Sequence, residues 1–150
     1  MKNEQGFSLV ELLIVVAIIA IIAAIAVPSL LTSKQAANEA GAVQGCRTMG
    51  SAEIAFSATN NQQYTTLTDL IAGNYLDSRF SGQFSGYLYQ SGTVTQGVGT
   101  GAPPTGFEFT ATPTTGGGRY SYGIAPDQVV RYQGSTLPSG IAAGDPIGKQ

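Results

Sequence analysis

Histidine and tryptophan are absent from this 150-residue chain, and cysteine occurs once, as Cys46. Without histidine there is no Ser-His-Asp triad and no Cys-His dyad. One thiol supports neither an internal disulfide nor a cysteine-histidine zinc cluster. Charge is also scarce: 7 basic and 9 acidic residues give 11% charged side chains and a net charge of -2. A typical soluble protein carries about 25%. Nucleic acid is therefore not an expected partner, because the basic surface that phosphate contacts require is missing. Walker, G-x-S-x-G and H-E-x-x-H patterns do not occur. The glycine cluster Gly97-Val98-Gly99-Thr100-Gly101 runs into Ala102-Pro103-Pro104, which cannot open a phosphate-cradling helix with free amides. No enzymatic activity, cofactor or metal is expected. Asp77 and Asp127 are the first carboxylates to examine for calcium, although no EF-hand spacing surrounds them and turn or capping roles are the other reading.

What the chain does have is concentrated near its start. Residues 12–27 are an unbroken apolar run of Leu, Ile, Val and Ala, and between Phe7 and Val27 only Ser8 and Glu11 are polar. At about 1.5 Å per residue, this stretch makes a helix of about 31 Å, close to the roughly 30 Å hydrocarbon core of a bilayer. A secretory signal peptide is one reading, with Lys2 ahead of the apolar run and Ala24-Ile25-Ala26 as the cleavage site. It would leave an exported or membrane-anchored domain. Glu11 opposes that reading, since a carboxylate inside a membrane helix costs about 2.5–3.5 kcal/mol and an export signal has no use for it.

Gly6-Phe7-Ser8-Leu9-Val10-Glu11-Leu12 ahead of a long apolar helix resembles the processing site of type IV pilins and type II secretion pseudopilins. The resemblance covers roughly the first 60 residues, Pro28 included. It implies that a prepilin peptidase cuts between Gly6 and Phe7 and N-methylates the new terminus at Phe7. It also implies that Glu11 attracts the terminal amine of a neighbouring subunit during assembly. A rival is that Glu11 bonds its own terminal amine or the Ser8 hydroxyl. The implied partners are identical subunits, the peptidase and a membrane assembly machinery with its own ATPase. The precursor is expected as a single-pass protein of the inner membrane, and the product as a surface pilus or, alternatively, a periplasmic pseudopilus. Many relatives close a carboxy-terminal loop with a disulfide, which one cysteine cannot do.

The resemblance also implies an α+β pilin fold, a long amino-terminal helix packed on a small antiparallel sheet. The expected divisions are a leader at 1–6, a membrane or filament-core half-helix at 7–29, an amphipathic half-helix at 30–60 and a β-rich head at 61–150. Pro28 either kinks the helix or ends it. Continuation is favoured by Ala36, Ala40, Val43, Cys46, Gly50 and Ile54, an apolar stripe at helical period. Glu39, Arg47 and Glu53 lie off it, and Cys46 on it should be a buried, inert thiol. Gly41, Gly45 and Gly50 would permit close approach of strands. A stop is expected near Thr59-Asn60-Asn61, then a short helix ending at Gly73 that packs Leu67, Leu70 and Ile71. Alternating segments at 86–89, 107–110, 119–124 and 128–132 predict three or four strands, the last two joined by an Ala125-Pro126-Asp127-Gln128 turn. Residues 95–106 and 134–150 read as exposed loops, the tail partly disordered.

Overall fold

The computed structural model describes residues 6–92, 95–96, 104–133 and 145–147. It divides into two compact units, Met1–Lys34 and Gln35–Gln150. Helix α1, Leu9–Thr59, contributes to both, and its backbone stays helical through Pro28. The reading in which the helix ends at Pro28 is thereby excluded. Pro28 has no amide to donate, and hydroxyls gather on the carbonyls just after it. Thr32 Oγ1 and Ser33 Oγ each donate to Ser29 O at 2.9 Å.

In the second unit α1 ends at Thr59, where Asn61 and Gln62 take left-handed backbone angles and the Gln62 amide donates back to Ser57 O at 2.9 Å. Such a reversal satisfies carbonyls left open at a helix end. Helix α2, Leu67–Ala72, follows with Thr66 as N-cap and Gly73 as C-cap, and it buries Leu67 and Leu70. Ile71 packs against the same core. A 3-10 turn, Ser78–Ser81, is capped by Asp77.

Among the described residues the strands are β1 Gln83–Phe84, β2 Tyr87–Ser91, β3 Thr95–Gln96, β4 Pro104–Gly106, β5 Phe109–Pro113, β6 Ser121–Ile124, β7 Arg131–Gln133 and β8 Asp145–Pro146. Six of them form one antiparallel sheet in the order β1-β2-β5-β6-β7-β8, and β3 pairs with β4 separately. The α+β layout is the expected one. The strand count is larger than the expected three or four. The additions β1 and β8 have two residues each, too few for alternation to reveal, and they sit at the sheet edges, where Pro146 is tolerated. Residues 95–106 were expected to be an exposed loop, but Thr95 pairs with Gly106 and Gln96 with Pro104. Within the expected carboxy-terminal loop, Asp145–Pro146 pairs with β7, and residues 134–144 and 148–150 lie outside the described ones. The predicted β6–β7 hairpin is present, closed by the Gln128 amide donating to Ala125 O at 2.9 Å.

Register places Tyr89, Ala111 and Tyr122 in line, and beside them Phe109 and Ile124, so one sheet face is apolar. Tyr87, Tyr89, Phe109, Ala111, Tyr122 and Ile124 form a core with Ala42, Cys46 and Met49 of α1. The helix face that does this differs from the expected stripe. Cys46 and Gly50 are buried and Val43 half-buried, but Ala36 and Ala40 are exposed and Ile54 is 49% exposed. The buried face runs Glu39, Ala42, Cys46, Met49, Glu53, so both glutamates assigned to the polar side lie inside. Size and partners decide this. A Cβ on Gly45 would meet the Tyr89 ring at 2.7 Å, and one on Gly50 would meet Ile124 Cδ1 at 2.7 Å. Glu39 accepts from the Arg119 amide at 2.8 Å and from Arg119 Nε at 3.2 Å. Glu53 accepts from the Thr65 amide at 2.6 Å.

Gly86, read from sequence as the start of a strand, lies instead in the two-residue turn between β1 and β2. Ser85 and Gly86 both have positive φ, the geometry that tight hairpins use. At Gly86 a Cβ would also meet Gly117 Cα at 2.8 Å, so the turn and the 114–118 loop pack backbone to backbone.

Candidate functional site at the amino terminus

Gly6, Phe7 and Ser8 are non-helical and exposed, and α1 begins at Leu9. The start is set by a reciprocal cap. Ser8 Oγ accepts from the Val10 amide at 3.3 Å, and Glu11 Oε2 accepts from the Ser8 amide at 3.0 Å. Ser8-Leu9-Val10-Glu11 is thus a capping box, in which the third helical residue reaches back to the N-cap amide. Sequence reasoning paired Glu11 with an amine or with the Ser8 hydroxyl and missed the Ser8 amide. The S-x-x-E spacing ahead of an apolar run was the available signal. A carboxylate in the first turn also meets the positive end of the helix dipole.

Beyond this cap the first unit presents an apolar surface. Phe7 is 88% exposed, and Leu9, Ile14, Ile18, Ile22, Ile25 and Leu30 are each more than half exposed. The segment is long and apolar enough to cross a membrane, and none of it is buried within the chain. Soluble monomers rarely expose contiguous apolar patches beyond a few hundred Å². This surface therefore calls for lipid or for other protein.

The remaining candidates are dispersed. Asp77 Oδ1 accepts from the Arg79 amide at 2.8 Å, capping the 3-10 turn. Asp127 Oδ1 accepts from the Val129 amide and from Arg131 Nη1, both at 3.1 Å, and the Arg131 bonds hold its carboxyl below the usual range. Both are turn-forming carboxylates, and among the described residues no group of three or more acidic, cysteine or histidine ligands could hold a metal. Cys46 is fully buried, and burial pushes its thiol up to about 12.

Residues 1–27 match the prokaryotic N-terminal methylation motif. Over 39 residues the chain is 56% identical to the type IV wide pilus major component PilA4 of Thermus thermophilus. That match takes in 26% of this chain and 30% of the relative, so the likeness belongs to the amino-terminal segment. A methylation motif and a pilus relative thus make the amino-terminal segment similar to that of type IV pilins, and this segment leads into the long apolar helix and antiparallel sheet described above.

Proposed function

We propose that this chain is a structural subunit of a type IV pilus and has no catalytic role. In this reading a prepilin peptidase cuts between Gly6 and Phe7, the new amine at Phe7 is methylated, and the mature chain assembles with identical subunits into a helical surface filament. The observation that carries it is the exposed apolar surface over the first part of α1, residues 9–31, interrupted by one carboxylate, Glu11. The same residues serve two solvents in turn. Residues 7–29 hold the precursor in the inner membrane, then exchange lipid for neighbouring subunits' helices, while residues 30–60 and the head at 61–150 stay outside. Leaving lipid for a helical bundle brings no new hydrophobic gain, so packing and Glu11 pairing, driven by the assembly machinery, must set direction. Head-to-tail contacts whose rotation does not close give an open filament. Pro28 is the place where α1 can bend or open when subunits pack.

The chemistry expected at Glu11 follows from the cap. Cleavage removes residues 1–6 and leaves a charged amine at Phe7, one residue from the amide that Glu11 already binds. A carboxylate in an apolar setting gains most from an opposite charge, and an incoming subunit's amine supplies one. The test is intact mass and N-terminal sequencing of material sheared from the native cell surface, repeated with Glu11→Val. A methylated Phe7 terminus in a filament fraction, with the variant inserted in the membrane yet poor in filaments, is the expected result. Normal filament yield from Glu11→Val would sink the pairing mechanism. A Phe7 terminus confined to membrane and periplasm would replace the pilus by a pseudopilus. An uncut chain, or one beginning after Ala26, would discard both.

A further inference from the structure

Glu53 is fully buried on the sheet side of α1. Its two oxygens are unequally served: Oε1 accepts from the Thr65 amide at 2.6 Å, and Oε2 is buried with no hydrogen-bond partner. Thr65 belongs to the connection that leaves α1 and enters α2, residues 60–66. This connection turns through two consecutive non-glycine residues with positive φ, Asn61 at 52° and Gln62 at 60°. Left-handed angles are unfavourable for residues with a Cβ, so the turn persists because it is held at both ends. At its far end the Leu67 amide donates to Ser91 Oγ at 2.7 Å, and the Thr65 hydroxyl donates to Asp69 Oδ2 at 2.9 Å. Those ties fasten the connection to β2 and α2. The bond through Glu53 ties the Thr65 amide to α1.

We propose that Glu53 is a proton-operated latch: its neutral carboxyl docks the connection of residues 60–66 onto α1, and its ionisation releases that connection. A charged carboxylate with one oxygen buried and unpartnered is costly, and opening of the connection that Thr65 belongs to would relieve that cost. The titratable and charged groups of the neighbouring segments include Cys46 and Arg47 on α1, Tyr64 in the connection, Asp69 on α2, Tyr75 after α2 and Glu108 ahead of β5. Two influences act on the Glu53 carboxyl itself. Burial raises it from 4.5 to about 7, and the Thr65 amide opposes that rise. Asp69, by contrast, is held low by the Thr66 and Thr65 hydroxyls and stays charged throughout the range where Glu53 changes state.

The sign follows from linkage. A carboxyl raised in the folded state binds a proton that the opened state has already lost. Docking is therefore strongest below about 4.5 and weakens as pH rises to about 7, then levels off. Release would free Tyr64 from its contact with Phe107, 5.1 Å between ring centres. The latch is independent of the pilus reading, since it resides in the second unit and acts without any other subunit.

Hydrogen exchange of the full-length chain in detergent micelles, corrected for intrinsic rates, tests this at residues 60–66 across pH 5 to 8. The open fraction should rise at least about tenfold over that span, while Glu53→Gln should remove most of the pH dependence. A flat profile in the natural chain, or an unchanged profile in Glu53→Gln, would overturn the latch. Should the variant not fold, the carboxyl carbon shift of Glu53 in the natural chain decides. A titration midpoint near 7 supports the latch, and one near 4.5 overturns it.

Discussion

Substituting Gly45 by Ala separates two opposite expectations. In a helix interior, glycine to alanine ordinarily stabilises by about 0.5–1 kcal/mol through the backbone. At Gly45 the new Cβ would lie 2.7 Å from Tyr89 Cε1 and 2.8 Å from its hydroxyl oxygen. That ring cannot easily swing away. Tyr89 is 2% exposed and meets Phe80 edge-on at 5.1 Å between ring centres. Overpacking of this kind costs about 1–3 kcal/mol, so the net effect of Gly45→Ala should be a loss of about 0.5–2 kcal/mol. Gly41, one turn earlier on the same helix, is the control. Its Cβ would meet only Ser85 Cβ at 3.9 Å, an ordinary contact, so Gly41→Ala should gain about 0.5–1 kcal/mol. Both variants can be unfolded with urea as full-length chains in mild detergent and followed by tyrosine fluorescence, since the chain has no tryptophan. Equal stability of the two variants would refute the claim that glycine at 45 is required by the approach of β2.

Cys46, buried and with its thiol pushed up to about 12, should react with maleimide only when the second unit unfolds. Labelling in native buffer as fast as that of a free thiol would contradict its placement. The Glu39 carboxyl is pushed up by burial, but the hydrogen bonds and charge of Arg119 outweigh this and hold it below its ordinary value. Its contribution is therefore present above about 4.5 and lost as pH falls through its folded value, so Glu39→Gln should lower the urea midpoint at pH 7 and match the natural chain near pH 2. A variant deficit that persists unchanged into acid would show that charge is not what Glu39 supplies.

The buried arrangement around α1 was legible along the chain only in part: the burial of Cys46 and the close approach at Gly45 and Gly50 were, and the inward glutamates were not. A stripe counted by hydrophobicity selected Ala36, Ala40 and Ile54, which face outward. Facing the sheet are Gly45 and Gly50, chosen for what they lack, and two glutamates whose partners lie at Arg119 and Thr65. Periodicity records where apolar residues recur, but it cannot weigh a carboxylate against a donor 80 positions away. The same limit hid β1 and β8, which exist because a longer neighbour offers its edge.

The amino-terminal segment was determined by the sequence alone. Residues 12–27 contain no polar side chain, so a helix there depends on no distant partner, and the motif around Gly6, Phe7 and Glu11 is local chemistry. Even the capping box spans four consecutive residues. Tertiary structure decided everything that needs two segments at once: the helix face that is buried, the six-strand order, the Gly86–Gly117 contact and the burial of Glu53. Local patterns specify which backbone states are cheap, whereas burial is a property of what the rest of the chain brings alongside.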